Sequence, residues 1–472
     1  MKIALIHCPF GHRDFSENLK VVDEEFCVAP PLVLAYVASI LEKVGHRVII
    51  IDANVLKLTK EQALRLLKDF SPQLIGFRAD TYWFHRVAEW AGFFKENLRV
   101  PVVVGGINIT LYPQESLSWP CFDYGIAGEA NHSLPQLLCA LEKGASLRGI
   151  PGLVYRDNGK VICVPVSTEP IPFDDYPFPA RHLLPNHLYY SFTSQRKNFT
   201  IMVTSTGCPF HCTFCAIARL AYRERSAANV VDEIEECVRR YGVREIDFFD
   251  ATFFVNKERF LEICGLLHRR GIKVEWSCRS RVDVVDEQIL KEARLAGCRK
   301  IYYGIESSSP QVLEKINKRI DQPKIRHAID LTYKCGIKAL GFFMVGNPGE
   351  TKESVLDSIA FAKTLKLDFI QVCRNIAKPN TDLYQQLVDA HRLDYWREYI
   401  LNKRDGRPLP APWSQLSAQE TERYVRRFYR EFYFRPAYML KRIAGIKSAG
   451  ELGRYAKVAA RWLFCNRSDV TS

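Results

Sequence analysis

What this chain lacks narrows its class. In 472 residues no apolar run approaches the roughly 20 needed to cross a bilayer, so no membrane span is predicted. The N-terminus, Met1-Lys2-Ile3-Ala4-Leu5-Ile6, runs straight into a strand pattern without the features of a signal peptide. Cysteine is plentiful at 15, but the number is odd and the spacing scattered. No regular disulfide framework is therefore predicted, and unpaired thiols place the protein in a reducing cytoplasm. A single ordinary core is excluded as well, because a chain this long divides into two or three domains. Charge is nearly balanced until the end: the net charge is +13, and residues 374 to 472, with 19 Lys+Arg against 10 Asp+Glu, carry +9 of it. Such a tail predicts an anionic partner, whether membrane surface, phosphorylated substrate or RNA.

What is present is a series of alternating strands and helices. Lys2 to His7, Arg47 to Asp52, Gln73 to Phe77, Pro101 to Gly105 and Asp123 to Ile126 read as strands, with amphipathic helices such as Leu32 to Val44 and Gln62 to Phe70 between them. This predicts an α/β fold with a doubly wound parallel sheet over residues 1–145, whose ligands bind at the carboxyl ends of the strands. The loops there are Pro9 to Pro30, Gly105-Gly106-Ile107-Asn108 and Gly128-Glu129-Ala130-Asn131. Residues 146–198 read as a connector, with a hairpin turning at Asp157-Asn158-Gly159 and then a stiff strap punctuated by Pro170, Pro172, Pro177 and Pro179. Residues 199–375 repeat the strand–helix unit six times, predicting an open partial (β/α)6 barrel with its active residues at the carboxyl strand ends. Residues 376–472 read as a basic helical region.

After the first barrel strand, Phe199 to Thr204, comes Thr206-Gly207-Cys208-Pro209-Phe210-His211-Cys212-Thr213-Phe214-Cys215. Three soft ligands on one short loop bind metal. A structural zinc site takes four closed ligands, whereas an iron–sulfur cube held by three cysteines keeps one iron open for another molecule. A zinc site completed by His211 or by a distant cysteine is the alternative at this point.

This spacing, Cys-x-x-x-Cys-x-x-Cys with an aromatic before the last cysteine, resembles the radical S-adenosylmethionine enzymes. The resemblance implies that Cys208, Cys212 and Cys215 hold a [4Fe–4S] cluster whose open iron chelates S-adenosylmethionine. One electron from a reductant such as flavodoxin or ferredoxin then cleaves it to a 5′-deoxyadenosyl radical. It also implies that Glu306, in Gly304-Ile305-Glu306-Ser307, meets the ribose hydroxyls, that Asp250 meets the methionine amino group, and that Arg279 or Arg281 meets the methionine carboxylate. For Glu306 the alternative is a structural ion pair with Arg279 or Arg281. Phe343-Met344-Val345-Gly346-Asn347-Pro348-Gly349-Glu350-Thr351 is similar to the segment that flanks the adenosine by backbone contact, the alternative being an ordinary turn and helix cap.

Val102-Val103-Val104-Gly105-Gly106, Asp123-Tyr124 and Gly128-Glu129 are similar to the cobalamin-binding domain that precedes the cluster loop in one branch of these enzymes. Pro172-Phe173-Asp174-Asp175-Tyr176-Pro177-Phe178-Pro179 is similar to its linker. Gly105, Gly106, Gly128 and Glu129 are the implied cobalamin contacts. The Asp-x-His-x-x-Gly signature that supplies a lower ligand to cobalt is absent, since none of His7, His12, His46, His85 or His132 lies in that frame. The resemblance therefore implies cobalamin with its lower face free of histidine; the alternative is a structural or nucleotide-binding layer without corrin.

The expected activity is cobalamin-dependent methylation of an unactivated carbon, with a radical cyclase, oxidase or carbon-bond-forming enzyme as the alternative. The substrate is expected to be a small or lipid-like molecule. A tRNA methylthiotransferase would need a second set of cysteines and a β-rich tail. Cys8 and Cys27 lack partners at suitable spacing and the tail reads helical, so nucleic acid is not the expected partner. A non-catalytic metal-binding protein would leave the matched barrel positions unexplained. In the tail, Val425, Phe428, Tyr429 and Phe432 recur at helical spacing with Arg423, Arg426, Arg427 and Arg430 on other faces. Leu452, Tyr455, Ala459 and Trp462, flanked by Arg454, Lys457 and Arg461, repeat the pattern. Such helices lie on the anionic inner face of a membrane or pack on the barrel with their charges solvated.

Overall fold

A computed structural model of the chain describes residues 1–9, 27–169, 171–194, 196, 198–403, 411–444 and 453. The described residues form two compact units, one drawn from Met1–Gly11, Pro30–Leu188 and Val388–Arg407, the other from His12–Ala29, Tyr189–Leu387 and Pro408–Ser472. His12, most of the expected loop from Pro9 to Pro30, Pro170 and the second basic pattern of the tail lie outside the described residues.

In the first unit the strands are β1 (Lys2–His7), β2 (Arg47–Asp52), β3 (Leu74–Arg78), β4 (Val102–Gly105), β5 (Tyr124–Ile126), β6 (Leu153–Asp157) and β7 (Lys160–Cys163). They form one seven-stranded sheet in the order β2-β1-β3-β4-β5-β6-β7. The first five are parallel, and the β6–β7 hairpin continues the sheet antiparallel, turning through Asn158 and Gly159 with φ of 49° and 78°. Ile3, Ala4, Leu5 and Ile6 are all buried, as a parallel strand covered on both faces requires. Leu34, Ala38 and Leu41 of helix α1 (Leu32–Lys43) and Leu134, Leu137 and Leu138 of α4 (Ala130–Lys143) cover one face; α2 (Lys60–Phe70) and α3 (Phe84–Leu98) also flank the sheet. The strand order reverses between β1 and β3, and a doubly wound sheet binds its ligand beyond the carboxyl ends at that point. A distant segment, Tyr395–Ile400, joins this unit: Trp119 donates to the Ile400 carbonyl at 2.9 Å, and the Tyr399 ring stacks on His85 at 4.3 Å.

The second unit holds β8 (Phe199–Met202), β9 (Glu245–Phe248), β10 (Glu275–Ser280), β11 (Cys298–Glu306), β12 (Lys338–Val345) and β13 (Phe369–Arg374), a six-stranded sheet in sequential order. Every pair is parallel, as in an open partial barrel. One face packs Phe248, Trp276, Ile301 and Tyr303 with residues of the intervening helices, including Val230, Phe260 and Ile325, into the main core. Each such side chain contributes roughly 1.5–3 kcal/mol on burial. The other face is polar along β9 to β11, with Asp247, Ser277, Arg279, Lys300 and Tyr302, and becomes apolar at Leu340, Phe342 and Phe369. Asn256, Asp286, Ser309 and Thr351 each accept a hydrogen bond from the first turn of the helix they precede, which fixes the loops after β9 to β12.

The helix Ala418–Tyr433 turns its aromatic face inward, with Val425, Phe428, Tyr429 and Phe432 buried. Tyr429 Oη accepts from Val372 N at 2.9 Å and donates to Val372 O at 3.2 Å; Tyr433 does the same to Ile370 at 2.9 and 2.8 Å. Tyr438 donates to Asp368 O at 2.6 Å. The hydroxyls thus occupy the outward backbone groups of the edge strand β13, which would otherwise template pairing with another chain. Of the two readings of this helix, packing on the barrel accounts for its aromatic face. Arg426 and Arg427 pair with Glu422 and Glu431, while Arg423 and Arg430 are exposed. Among the described residues no helix is long and apolar enough to cross a membrane.

Candidate functional site

The cysteine loop leaves β8 through Ser205–Thr206, which pairs antiparallel with Arg223–Glu224 and so closes the loop at its base. Gly207 makes that closure possible: its φ is +72°, and a Cβ there would collide with the Ala221 carbonyl. Asp250, two residues past β9 and fully buried, holds the same base. Its Oδ1 accepts from Thr204 N at 2.7 Å, and its Oδ2 accepts from the hydroxyls of Thr204 and Ser205 at 2.5 and 2.7 Å. Burial pushes its carboxyl up, against these bonds. Both oxygens are engaged, and Asp250 is thereby tied to the base of the cysteine loop through one backbone amide and two hydroxyls.

Cys212 is buried and Cys208 and Cys215 are half-buried, and among the described residues every cysteine is a free thiol. Three thiols on one loop can each take a different iron of a cube and leave the fourth open. Burial pushes the Cys212 thiol up, with Lys318 and then Arg281 opposing it.

Of the expected contacts to S-adenosylmethionine, the fold gathers Arg281 and Glu306 around Cys212 and sets Arg279 apart. Arg281 Nη1 lies 3.7 Å from Cys212 Sγ, its guanidinium stacks on Phe210 at 4.0 Å, and it pairs with Asp283 at 2.7 Å. Glu306 ends β11 at a bulge, in the left-handed region with φ of +67°, where a residue with a side chain is strained. Its partner is neither Arg279 nor Arg281 but Lys318, whose Nζ donates to Oε1 at 2.8 Å. A Cβ on Gly304 would come within 2.6 Å of that oxygen and 2.7 Å of Lys318 Nζ, so the pair depends on glycine there. Arg279 instead grips both oxygens of Asp247 at 3.0 and 3.2 Å and lies 3.8 Å over the Phe249 ring. In the segment after β12, Glu350 is buried and accepts from the backbone of Gly346 and Asn347; burial pushes its carboxyl up to about 7.

Lys318 is the residue that sequence reasoning missed. It lies in a basic stretch with Lys315 and Arg319 and no local feature singles it out; its 5% exposure does.

In the first unit, Gly105 ends β4, Gly106 follows it, and both pack on the loop after β3. Ala79 N donates to Gly105 O at 2.8 Å, and Gly106, at φ +107°, approaches Ala79 more closely than a Cβ would permit. Gly128 N donates to Thr110 Oγ1 at 2.9 Å, and the Glu129 carboxylate accepts from Tyr176 of the strap at 2.6 Å. Two buried side-chain atoms in these loops, Thr81 Oγ1 and Asn108 Oδ1, have no hydrogen-bond partner among the described residues. Buried polar atoms left over beyond strand ends fit a ligand rich in hydrogen-bonding groups, as the corrin side chains are. His7, at the end of β1, is held at about 3 by burial and by Arg78, so its imidazole is neutral.

Residues 202–362 match the Radical SAM superfamily and residues 24–138 match the B12 binding domain. Over 423 residues the chain is 34% identical to an uncharacterized methyltransferase of Pyrococcus horikoshii, covering 88% of this chain and 90% of that one. It is 28% identical to the anaerobic magnesium-protoporphyrin IX monomethyl ester cyclase of Rubrivivax gelatinosus, covering 87% and 75%. In fold it is similar to the radical S-adenosylmethionine methyltransferase TsrM from Kitasatospora setae, solved with cobalamin and a [4Fe–4S] cluster, at a TM-score of 0.65 and 20% identity over 82% of this chain and 78% of that one. Two matched domains and a relative alike along almost its whole length agree with the cysteine loop and the switch-point crevice: the chain belongs to the cobalamin-dependent branch of the radical S-adenosylmethionine superfamily, enzymes that use a [4Fe–4S] cluster, S-adenosylmethionine and cobalamin.

Proposed function

We propose that this enzyme transfers a methyl group from cobalamin to an unactivated carbon of a small-molecule substrate in the cytoplasm. The observation that carries the reading is the union in one chain of a B12 binding domain and a Radical SAM domain, in a sequence alike over 88% of its length to a methyltransferase. When bound, the cluster supplies the electron that splits S-adenosylmethionine to a 5′-deoxyadenosyl radical, and cobalamin supplies the methyl group. In this reading Cys208, Cys212 and Cys215 are the cluster ligands, and a flavodoxin or ferredoxin delivers the electron. Glu306, with Oε1 held by Lys318, offers Oε2 to a sugar hydroxyl as a charge-assisted acceptor. Gly105, Gly106, Gly128 and Glu129 border the cobalamin, and Thr81 and Asn108 give it hydrogen-bond partners.

The test is anaerobic reconstitution with iron, sulfide and cobalamin, followed by incubation of cell extract with S-adenosylmethionine carrying a deuterated methyl group. The expected result is 5′-deoxyadenosine together with a labelled metabolite that wild-type protein makes and Cys212→Ala does not. Protein that cleaves S-adenosylmethionine fully while free of corrin overturns the reading. The 28% identity to the cyclase favours a second reading, an oxidative ring closure, in which the product loses hydrogen and gains no label. For the basic tail, reversible contact with anionic membrane would fall to Arg423 and Arg430. Equal sedimentation of wild type and the Arg423→Gln, Arg430→Gln double variant with anionic vesicles at low salt removes that contact.

A further inference from the structure

The turn after the helix Pro310–Lys315 docks on the cysteine loop at two points and is bridged to it at a third by Arg281. Thr213 N donates to Ile316 O at 3.1 Å, and Asn317 Nδ2 donates to His211 O at 2.7 Å. Arg281, which reaches Cys212 with Nη1, donates through Nη2 to Lys318 O at 2.6 Å. Asn317 and Arg319 both stand in the left-handed region, with φ of 53° and 55°. Asparagine tolerates that conformation, but arginine does so only where surrounding contacts hold it. Arg319 Nε donates to Asn317 Oδ1 at 2.9 Å, which ties the turn across its strained residues. The side chain so presented is that of Lys318, buried between Glu306 at 2.8 Å and the ring of Phe214, 6.0 Å away, the residue just before Cys215.

We infer that the Ile316–Arg319 turn is a positioning element of the cluster site and that Lys318 supplies a buried positive charge favouring the reduced cluster. The inference rests on the reading of Cys208, Cys212 and Cys215 as cluster ligands. Its physical basis is charge. One electron from a low-potential donor such as dithionite enters the site, no bond forms or breaks, and the net charge beside Cys212 falls by one. A cation close by, in surroundings that screen little, stabilises the more negative state. Glu306 works in the opposite sense, as the anion that partly offsets Lys318, and Arg281 adds a second cation beside the sulfur. Lys318 touches the site through Glu306 and through the turn that carries it, so it is a positioning residue with an electrostatic effect.

The test uses reconstituted full-length wild type, Lys318→Met, Lys318→Arg and Glu306→Gln, reduced with dithionite without S-adenosylmethionine and followed by electron paramagnetic resonance of the reduced cluster. Lys318→Met is expected to lower the reduced-to-oxidised ratio at fixed potential at least tenfold, about 59 mV for one electron. Lys318→Arg restores most of it, and Glu306→Gln raises the ratio. A structural role alone would change iron content without opposite signs in the two charge variants. Equal potentials in Lys318→Met and wild type, or shifts of the same sign in Lys318→Met and Glu306→Gln, overturn the charge assignment. If Lys318→Met takes up no iron, Glu306→Gln decides alone, since a lower ratio in it overturns the inference. Asn317→Ala, which cuts the tie to His211, is expected to lose iron to a chelator severalfold faster; a wild-type rate overturns the positioning role. A wild-type chain that assembles no cluster sinks the ligand reading and this inference with it.

Discussion

The carboxyl edges of the two sheets are built differently. In the barrel, the loop after β8 is tied down from all sides: Asp250 spends both oxygens on Thr204 and Ser205, Gly207 seats against Ala221, and Asn317 and Ile316 bond the loop backbone. In the doubly wound sheet, the loops after β3 and β4 bond each other through Ala79 and Gly105 and leave two buried atoms, Thr81 Oγ1 and Asn108 Oδ1, without partners among the described residues, against one, Thr213 Oγ1, in the cysteine loop. A small inorganic centre held by three cysteines gains from a loop whose shape exists beforehand, because few bonds must then fix several thiols. A large ligand with many polar groups gains from acceptors and donors left over for it. An unsatisfied buried atom costs about 1–3 kcal/mol, a cost that a hydrogen bond to a ligand would remove.

The comparison breaks most completely at the cysteines. Cys208→Ala, Cys212→Ala and Cys215→Ala are each expected to abolish iron binding and 5′-deoxyadenosine, read by iron assay and product chromatography, because three ligands leave no spare. Cys237→Ser, Cys264→Ser, Cys298→Ser and Cys335→Ser are expected to keep wild-type iron; loss in any of them means a different ligand set. Next in size is Gly207→Ala. With φ of +72° and the Ala221 carbonyl in the way, it should cost more than about 1 kcal/mol and lower iron incorporation severalfold. Full incorporation would show that the base of the loop is not closed as described.

Thr81→Val sharpens the contrast by splitting two readouts. Without cobalamin the variant should melt at or above the wild-type temperature, because an unsatisfied hydroxyl is gone. Its cobalamin affinity should fall about tenfold, worth roughly 1.4 kcal/mol. An unchanged affinity would remove Thr81 from the crevice. The smallest effect is electrostatic. Glu350 titrates at about 7 in the fold against 4.5 in the open chain. The native state therefore binds more protons between those values, and the contribution of Glu350 to stability, complete below 4.5, is lost as pH rises through about 7. Glu350→Gln should flatten the fall in melting temperature between pH 5 and 8; an identical slope would mean that another group carries it.

Much of this molecule is local in sequence and could be read there. Strand and helix periodicities recur within a dozen residues, Asn158-Gly159 dictates a hairpin by backbone conformation alone, and the cysteine spacing is confined to eight residues. The lack of a cobalt-ligand histidine signature was equally legible, whereas the bond between the His85 ring and the Tyr399 carbonyl was not. Roles set by remote partners were not legible. Nothing near Asp250 announces that both its oxygens turn to Thr204 and Ser205, and nothing near Arg279 announces Asp247.

By itself the sequence determined the parallel strands of the two sheets, the metal-binding loop and the glycine turns, because period, spacing and φ preference act over a few residues. Tertiary structure alone decided that Lys318 meets Glu306, that Tyr429 and Tyr433 close the edge of β13, and that Tyr395–Ile400 returns to the first unit. Each of these joins residues 12 or more positions apart, and which partners meet depends on how whole strands and helices pack, information that no short stretch of chain contains.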